Sequence, residues 1–448
     1  MYLCTRIEEG KSHESSNVLR PRTGRVRARV PDAPGTAREV INAEGRGLNL
    51  KSGADVTEEV CMSNRTDVRK FRVAYFAGTM RPEHDGVTRV LYRLIHALPG
   101  HGVESIFFSP IVPDPASQPV PMYEVPSVAF PLYKDYRVAI PGQKHFEERL
   151  ARFNPDLIHI NSPCPLGHAA VRYGRRTGVP VVATYHTHFP SYAKYYKIKA
   201  LETFSWGYLR KLYNECERVY VPSEPIRKEL RMHGFATTEF LPHGVDTTTY
   251  NPSHRSEEWR RTHGLEGKTV LLFAGRLVWE KDLRTLAEAY RIITERRNDA
   301  AFVLAGDGPV RSELAQMMPG ALFLGQLGGE ELSRAYASSD VFVFPSTTET
   351  FGNVTLEAMA SGIPPVCARE GGAWGFVKSG TTGLLAEPRN GADLALQVEH
   401  LLDRPDRRQA MGKAALAYAQ QQTWDRIVDR LLASYSEVAA MKGRRKAA

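Results

Sequence analysis

No apolar run in the 448-residue chain reaches the ~18 residues that a bilayer-spanning helix needs, so no transmembrane segment is expected. Cysteine is sparse and scattered, at positions 4, 61, 164, 216 and 367, without a Cys-x-x-Cys pair or metal-ligand spacing. That argues against a disulfide framework or a zinc site and favours a reduced, cytoplasmic setting. Asp-x-Asp does not occur, which leaves a divalent cation escorting a diphosphate without evident ligands; no metal site and no permanently bound cofactor are expected. The first residues lack the apolar core of a secretory signal.

What is present is the composition of a globular protein, 42% hydrophobic and 24% charged, long enough for two domains. The net charge of +9 implies attraction to nucleic acid, anionic lipid or phosphorylated small molecules, or serves only to solvate the surface. The positive charge is dispersed and no nucleic-acid motif accompanies it, so nucleic acid is not an expected partner. Oligomeric state is not legible.

Residues 1–69 are rich in Arg, Gly, Ser and Glu and show no sustained period, which reads as a disordered extension or as a start upstream of a natural one at Met62. From Phe71 short apolar runs alternate with helical stretches: 71–78, 105–109, 156–160, 179–186, 218–223 and 238–244 read as strands. The polar, turn-rich 244–253 marks a boundary, and a second series follows at 269–276, 300–308, 321–325, 340–346 and 363–368. The expectation is α/β: an N-terminal domain over 70–250, a C-terminal domain over 251–425, and a final helix with a basic tail over 426–448. Ligands of such sheets sit at strand carboxyl ends.

The densest chemistry lies in PSTTETFGNVTLEAMASGIP, 345–364. Glu349 falls on a loop and Glu357 on the helix that it feeds, and Asn353 is placed to cap that helix. GRLVWEK supplies Arg276 and Lys281 ahead of a helix that Asp282 would cap; two such cations would neutralise a diphosphate, or form a surface ion pair. AGDGP, with Gly306 and Gly308, reads either as an ordinary turn or as a close approach to a flat base. EHDGVTRV places Gly86 at the start of the first helix, where free N–H groups suit an anion. His186 and His188 stand two apart, pointing the same way if the strand continues, but no further ligand completes a metal site; a buried His near the cleft is the preferred reading. The basic, aromatic stretch 192–213 is either a face for an anionic membrane or an ordinary packed helix.

The glutamate pair in ETFGNVTLE, preceded by FPS and followed by AMASGIP, resembles the signature of retaining family 4 glycosyltransferases. The glycine loop before the first helix, THFP, PHGVD, GRLVWEK, AGDGP and GTTGLL extend the likeness over about Phe71 to Ala440 in the family's order. The resemblance implies the GT-B fold, two doubly wound, Rossmann-like domains facing a cleft, with the final helix packing back toward the first. It places Arg276 and Lys281 on the diphosphate, Glu349 and the Phe351, Gly352, Asn353, Val354 backbone on the donor sugar and phosphates, and Glu357 on the ribose. Gly86 would meet phosphate from the first domain, His186 the sugar, and Gly306, Gly308 and Leu327 the base. Two positions depart from the pattern: Asp85-Gly86 replaces a double glycine, and GGAWGFV at 371–377 lacks an acidic residue.

The implied activity is transfer of a hexose with retention, either by a front-face route in which the departing phosphate takes the acceptor's proton or through a short-lived covalent intermediate. HTHFPSYAKYY and GRLVWEKD look most like GDP-mannose-dependent mannosyltransferases and lipid-directed sulfoquinovosyl and glucosyl transferases. The expected donor is GDP-mannose, and the expected acceptor a lipid or lipid-linked glycan met at the inner face of the plasma membrane. A UDP-hexose enzyme making a small glycoside or polysaccharide is the alternative; a sugar-nucleotide sensor is the non-enzymatic one.

Overall fold

The structure, a computed structural model, describes residues 69–80, 86–130, 133–140, 143–190 and 199–447. Residues 1–68, Asp85 and 191–198, for which expectations are given above, lie outside the described residues. Apolar runs of four to seven residues form nearly all the strands because both faces of a parallel sheet are covered by helices. Among the described residues the first sheet has seven strands, ordered β3-β2-β1-β6-β7-β8-β9 and parallel throughout. They are β1 (Phe71–Phe76), β2 (Val103–Ser109), β3 (Met122–Glu124), β6 (Leu157–Ile160), β7 (Val181–Thr184), β8 (Arg218–Val221) and β9 (Thr238–Phe240). A two-stranded antiparallel hairpin, β4 (Ser127–Phe130) with β5 (Tyr133–Ala139), stands apart from it.

The second sheet has six parallel strands, ordered β12-β11-β10-β13-β14-β15. They are β10 (Thr269–Ala274), β11 (Ala300–Ala305), β12 (Leu322–Gly325), β13 (Val341–Phe344), β14 (Pro365–Ala368) and β15 (Leu384–Ala386). In each sheet the strand order reverses once, between β1 and β6 and between β10 and β13. Those reversals open crevices at the strands' carboxyl ends, where the connecting helices diverge to opposite faces.

Residues from Arg69 onward make one compact unit. Two chain passages that join the sheets run side by side: Val245 donates its N–H to the Gln422 carbonyl at 2.8 Å. Gly244 is required there, because a Cβ would lie 2.7 Å from the Trp424 backbone. The last helix, Trp424–Ala447, then returns to the first sheet, burying Ile427, Val428, Leu431, Tyr435 and Val438 against Val73, Tyr75, Leu91 and Leu94. The Tyr435 hydroxyl closes a buried network with His159 Nδ1 and the Tyr75 hydroxyl. Two helices close the chain, Pro405–Ala419 and Trp424–Ala447, parted by the Gln420–Thr423 turn.

Candidate active site

The loops after β10 and β13 flank the reversal of the second sheet and are tied together. Asp282 stands at the start of the helix Leu283–Arg296, at φ +54°, but its side chain makes no capping bond. Its Oδ2 instead accepts from the Thr347 N–H at 2.9 Å and hydroxyl at 2.7 Å. Thr348 adds a bond to the Glu280 carbonyl, at 2.9 Å. Arg389, itself at φ +57°, reaches the Thr347 hydroxyl at 2.7 Å and Glu370 at 3.2 Å. Burial raises the Asp282 pKa while the Thr347 bonds and Arg389 pull it back.

On this frame the Lys281 ammonium is ion-paired with the Glu349 carboxylate, both side chains about four-fifths buried. Arg276 is exposed just beyond the end of β10. The Glu349 loop is held from behind by the 371–377 segment, whose Gly372 N–H donates to the Glu349 carbonyl at 2.7 Å. A Cβ at Gly372 would lie 2.3 Å from the Thr350 carbonyl, so this glycine serves close backbone approach.

The helix Asn353–Ala360 starts one residue beyond Gly352, which takes φ +98° and makes the turn. Asn353 is thus the first helical residue and not the cap. Its Oδ1 lies 2.8 Å from His243 Nδ1, and its Nδ2 3.7 Å from where a Cβ on Gly86 would stand. Thr350 donates to the His186 carbonyl at 2.7 Å. Two bonds, His243–Asn353 and Thr350–His186, therefore tie the Glu349 loop to the first-sheet side, and Asn353 approaches Gly86, which opens the helix Gly86–Ala97 after β1.

His186 is buried, with Nε2 3.0 Å from Asn161 Oδ1 at the end of β6 and Nδ1 without a partner. Burial, with help from His243, holds its pKa well below the ordinary value, so the ring is neutral. The expectation that His186 and His188 point alike is not met: β7 ends at Thr184, before either residue. His188 turns instead to the Tyr185 hydroxyl (2.8 Å) and Glu229 (3.1 Å). Among the described residues no group of three or more His, Cys, Asp or Glu side chains is placed to hold a metal ion.

Glu357, one helical turn beyond Asn353, is 9% exposed and accepts from the Tyr336 hydroxyl at 3.1 Å. Burial raises its pKa; Arg89 of the first helix, then Tyr336, Arg93 and Tyr250, offset the rise. The Phe351 side chain is core, ringed by His243 and Phe376 at 4.9 and 4.8 Å, so only its backbone can face a ligand. Val354 and Leu327 pack partly buried against the same core. Gly306 and Gly308 meet protein first: a Cβ would lie 1.9 Å from the Gly275 carbonyl oxygen and 2.2 Å from that of Leu277. They let the β11 loop nest under the Arg276 loop.

Sequence reasoning missed His243, Asp282 as a loop tie, Arg389, and the first-helix arginines Arg89 and Arg93. Arg93 pairs with Asp246 at 3.0 Å, and Asp246 falls to about 2 because bonds from Thr248 and Thr249, with Arg93, outweigh its burial. The PHGVD motif contained the signal for His243 and Asp246; the others depend on contacts with no local signature.

The family description Glycosyltransferase Family 4 matches residues 84–249, and Glycosyl transferases group 1 matches residues 255–417. A GDP-mannose-dependent alpha-mannosyltransferase of Corynebacterium glutamicum is 34% identical over 385 residues, covering 84% of this chain and 91% of the relative. The sulfoquinovosyl transferase SQD2 of Arabidopsis thaliana is 35% identical over 304 residues, covering 66% of this chain and 59% of the relative. The fold is shared with sucrose-phosphate synthase of Thermosynechococcus elongatus at a TM-score of 0.69 and 22% identity, over 83% of this chain and all of that one. Two facing parallel sheets, the ordered motifs and these relatives agree: the chain belongs to the family 4 glycosyltransferases of the GT-B fold, enzymes that transfer a sugar.

Proposed function

We propose that the chain is a retaining hexosyltransferase that moves mannose from GDP-mannose to a hydroxyl of a lipid or lipid-linked glycan. The observation that carries the reading is the meeting of Asn353 with Gly86: helix starts from both sheets converge beside Lys281 and Glu349. Unpaired N–H groups at a helix start attract phosphate, and two fixed cations, Arg276 and Lys281, add charge where the leaving diphosphate becomes more negative. The Phe351–Val354 backbone and Glu349 would hold the donor sugar and phosphates, and neutral His186 would meet the sugar. Glu357 would accept from the ribose, with Gly306, Gly308 and Leu327 bordering the base. The departing phosphate would take the acceptor's proton, which suits a site whose buried His186 is a poor proton store.

The donor assignment leans on relatives named as GDP-mannose-dependent. The lipid acceptor draws support from an apolar groove of about 250 Å³ on the first-sheet side, lined by Phe189, Leu201, Phe204 and Tyr208 among others. Phe189, in that lining, lies three residues from His186 in the chain. Among the described residues no helix is long and apolar enough to cross a membrane, so contact with a bilayer would be peripheral. The domain limits near 250 and 425 are part of this proposal.

The protein incubated with GDP-mannose and a polar lipid extract should release GDP and move mannose into the lipid fraction with its α configuration kept. Release with UDP-glucose but not GDP-mannose overturns the donor; mannose recovered only in water-soluble product overturns the acceptor.

A further inference from the structure

The Asn353 amide has two unlike ends, an oxygen that accepts hydrogen bonds and an NH2 that donates two. Which end faces the cleft decides whether this helix start favours an anion or opposes it. Asn353 Oδ1 lies 2.8 Å from His243 Nδ1. An amide oxygen cannot donate, so this pairing requires the tautomer with the ring proton on Nδ1. The opposite end, Nδ2, lies 3.7 Å from where a Cβ on Gly86 would stand.

His243 is a firm anchor. It is 8% exposed, set between the rings of Phe351 and Trp424 at 4.9 and 6.3 Å, and its Nε2 is buried without a partner. Burial pulls its pKa down to about 4, so near neutral pH it holds one proton, the one given to Asn353. It belongs neither to the helix nor to either sheet but to the passage between them, next to the Gly244 contact with Trp424 and the Val245 bond to Gln422. The anchor for the helix's first side chain therefore sits where the two sheets are joined.

We infer that His243 is a positioning residue that sets the polarity of Asn353, holding the amide oxygen away from the cleft so that its N–H groups face the donor's diphosphate. The inference rests on the donor site proposed above. It also ties anion binding to the joining passage: any rotation of the sheets that displaces His243 releases Asn353 to turn.

The test is calorimetric titration of the full chain with GDP and with guanosine, which lacks the diphosphate; UDP and uridine replace them where UDP is the nucleotide that binds. His243→Phe keeps a ring and removes the N–H; His243→Gln keeps an N–H donor; should the Phe variant not fold, His243→Leu replaces it. Losing a hydrogen bond to an anion should weaken GDP by about tenfold or more in His243→Phe, with guanosine within about twofold and His243→Gln recovering most of the loss. Because His243 acts through Asn353, the same change made in an Asn353→Ala background should add nothing. Wild-type GDP affinity in His243→Phe, an equal loss of guanosine, or a full further loss in the Asn353→Ala background overturns the inference. Lys281→Met separates the two readings: if it too binds GDP normally, the site is misplaced, whereas weakening by Lys281→Met alone leaves the site standing and removes His243 from it.

Discussion

Lys281 and Glu349, 68 positions apart, form an ion pair at the reversal point of the second sheet, between the loops that follow β10 and β13. A carboxylate beside a diphosphate is repulsive, and the ammonium offsets it before any donor arrives. Neither residue can be removed without exposing the other's charge in a mostly buried setting. Lys281→Met should lower GDP release from GDP-mannose by about 10²–10³-fold, the usual effect of losing one stabilising group at a developing anion. Glu349→Gln should be milder, because it leaves a hydrogen-bonding group and adds no uncompensated negative charge. Equal rates in Lys281→Met and wild type would remove both from the reaction centre.

Gly308 has no room for a side chain above the Leu277 carbonyl, 2.2 Å from its would-be Cβ. Gly308→Ala must push the Arg276 loop aside, at about 1–3 kcal/mol of stability, as overpacking usually costs. Donor affinity should fall with it, since Arg276 lies between Gly275 and Leu277. Gly207, with nothing within 4 Å of its Cβ position, is the control. Gly207→Ala should melt at or above the wild-type temperature, because alanine is the better helix former. Denaturant titrations showing the two variants alike would contradict the packing argument.

Tyr435 fastens the last helix to the first sheet through His159 and Tyr75. Removing its hydroxyl leaves His159 Nδ1 buried and unpaired, a loss of about 1–3 kcal/mol. Urea unfolding of Tyr435→Phe reads the cost directly. Because the site lies elsewhere, GDP affinity of the folded variant should be unchanged.

Three buried histidines give the fold a defined pH dependence. Burial is the main cause in each: His159 is lowered to about 3, His243 to about 4, and His186 well below its ordinary value of 6.5. At these three rings the unfolded chain binds more protons than the native one between about pH 4 and 6.5, and three rings outnumber the two raised carboxyls, Asp282 and Glu357, that act in the opposite sense. Stability should therefore rise with pH through that window and level off above it. Urea midpoints at pH 4.5, 5.5, 6.5 and 7.5 measure the slope, which His243→Phe should make shallower; a flat profile in the wild type would show that these rings are protonated in the native state.

Much of this was legible because a covered parallel strand leaves an unbroken apolar run: Phe71–Phe76, Thr269–Ala274 and Val341–Phe344 all fall inside predicted strands. β3, the β4–β5 hairpin and β15 escaped because they are short or polar and carry no such run. At the site, the residues named from local motifs lie in loops and helices that follow strand carboxyl ends, yet their partners were not foreseen. Asn353 looked like a cap because Asn commonly caps; Gly352, at φ +98°, turned the chain first and freed the Asn353 side chain for His243. Asp282 looked like a cap for the same reason and ties Thr347 instead. His243–Asn353 and Thr350–His186 span 110 and 164 positions, and such pairings depend on how the two sheets meet, which no local pattern encodes.

We propose that Lys281, Glu349 and the Asn353 helix start form a nucleoside diphosphate site, and the measurement that bears on it most is a thermal melt with GDP, UDP and ADP. One diphosphate at 100 times its dissociation constant should stabilise the wild type by about 2.7 kcal/mol. The same concentration should do far less for Lys281→Met. GDP is the nucleotide expected to shift the melt; an unmoved melt with all three, or an equal shift in Lys281→Met, would rule the site out.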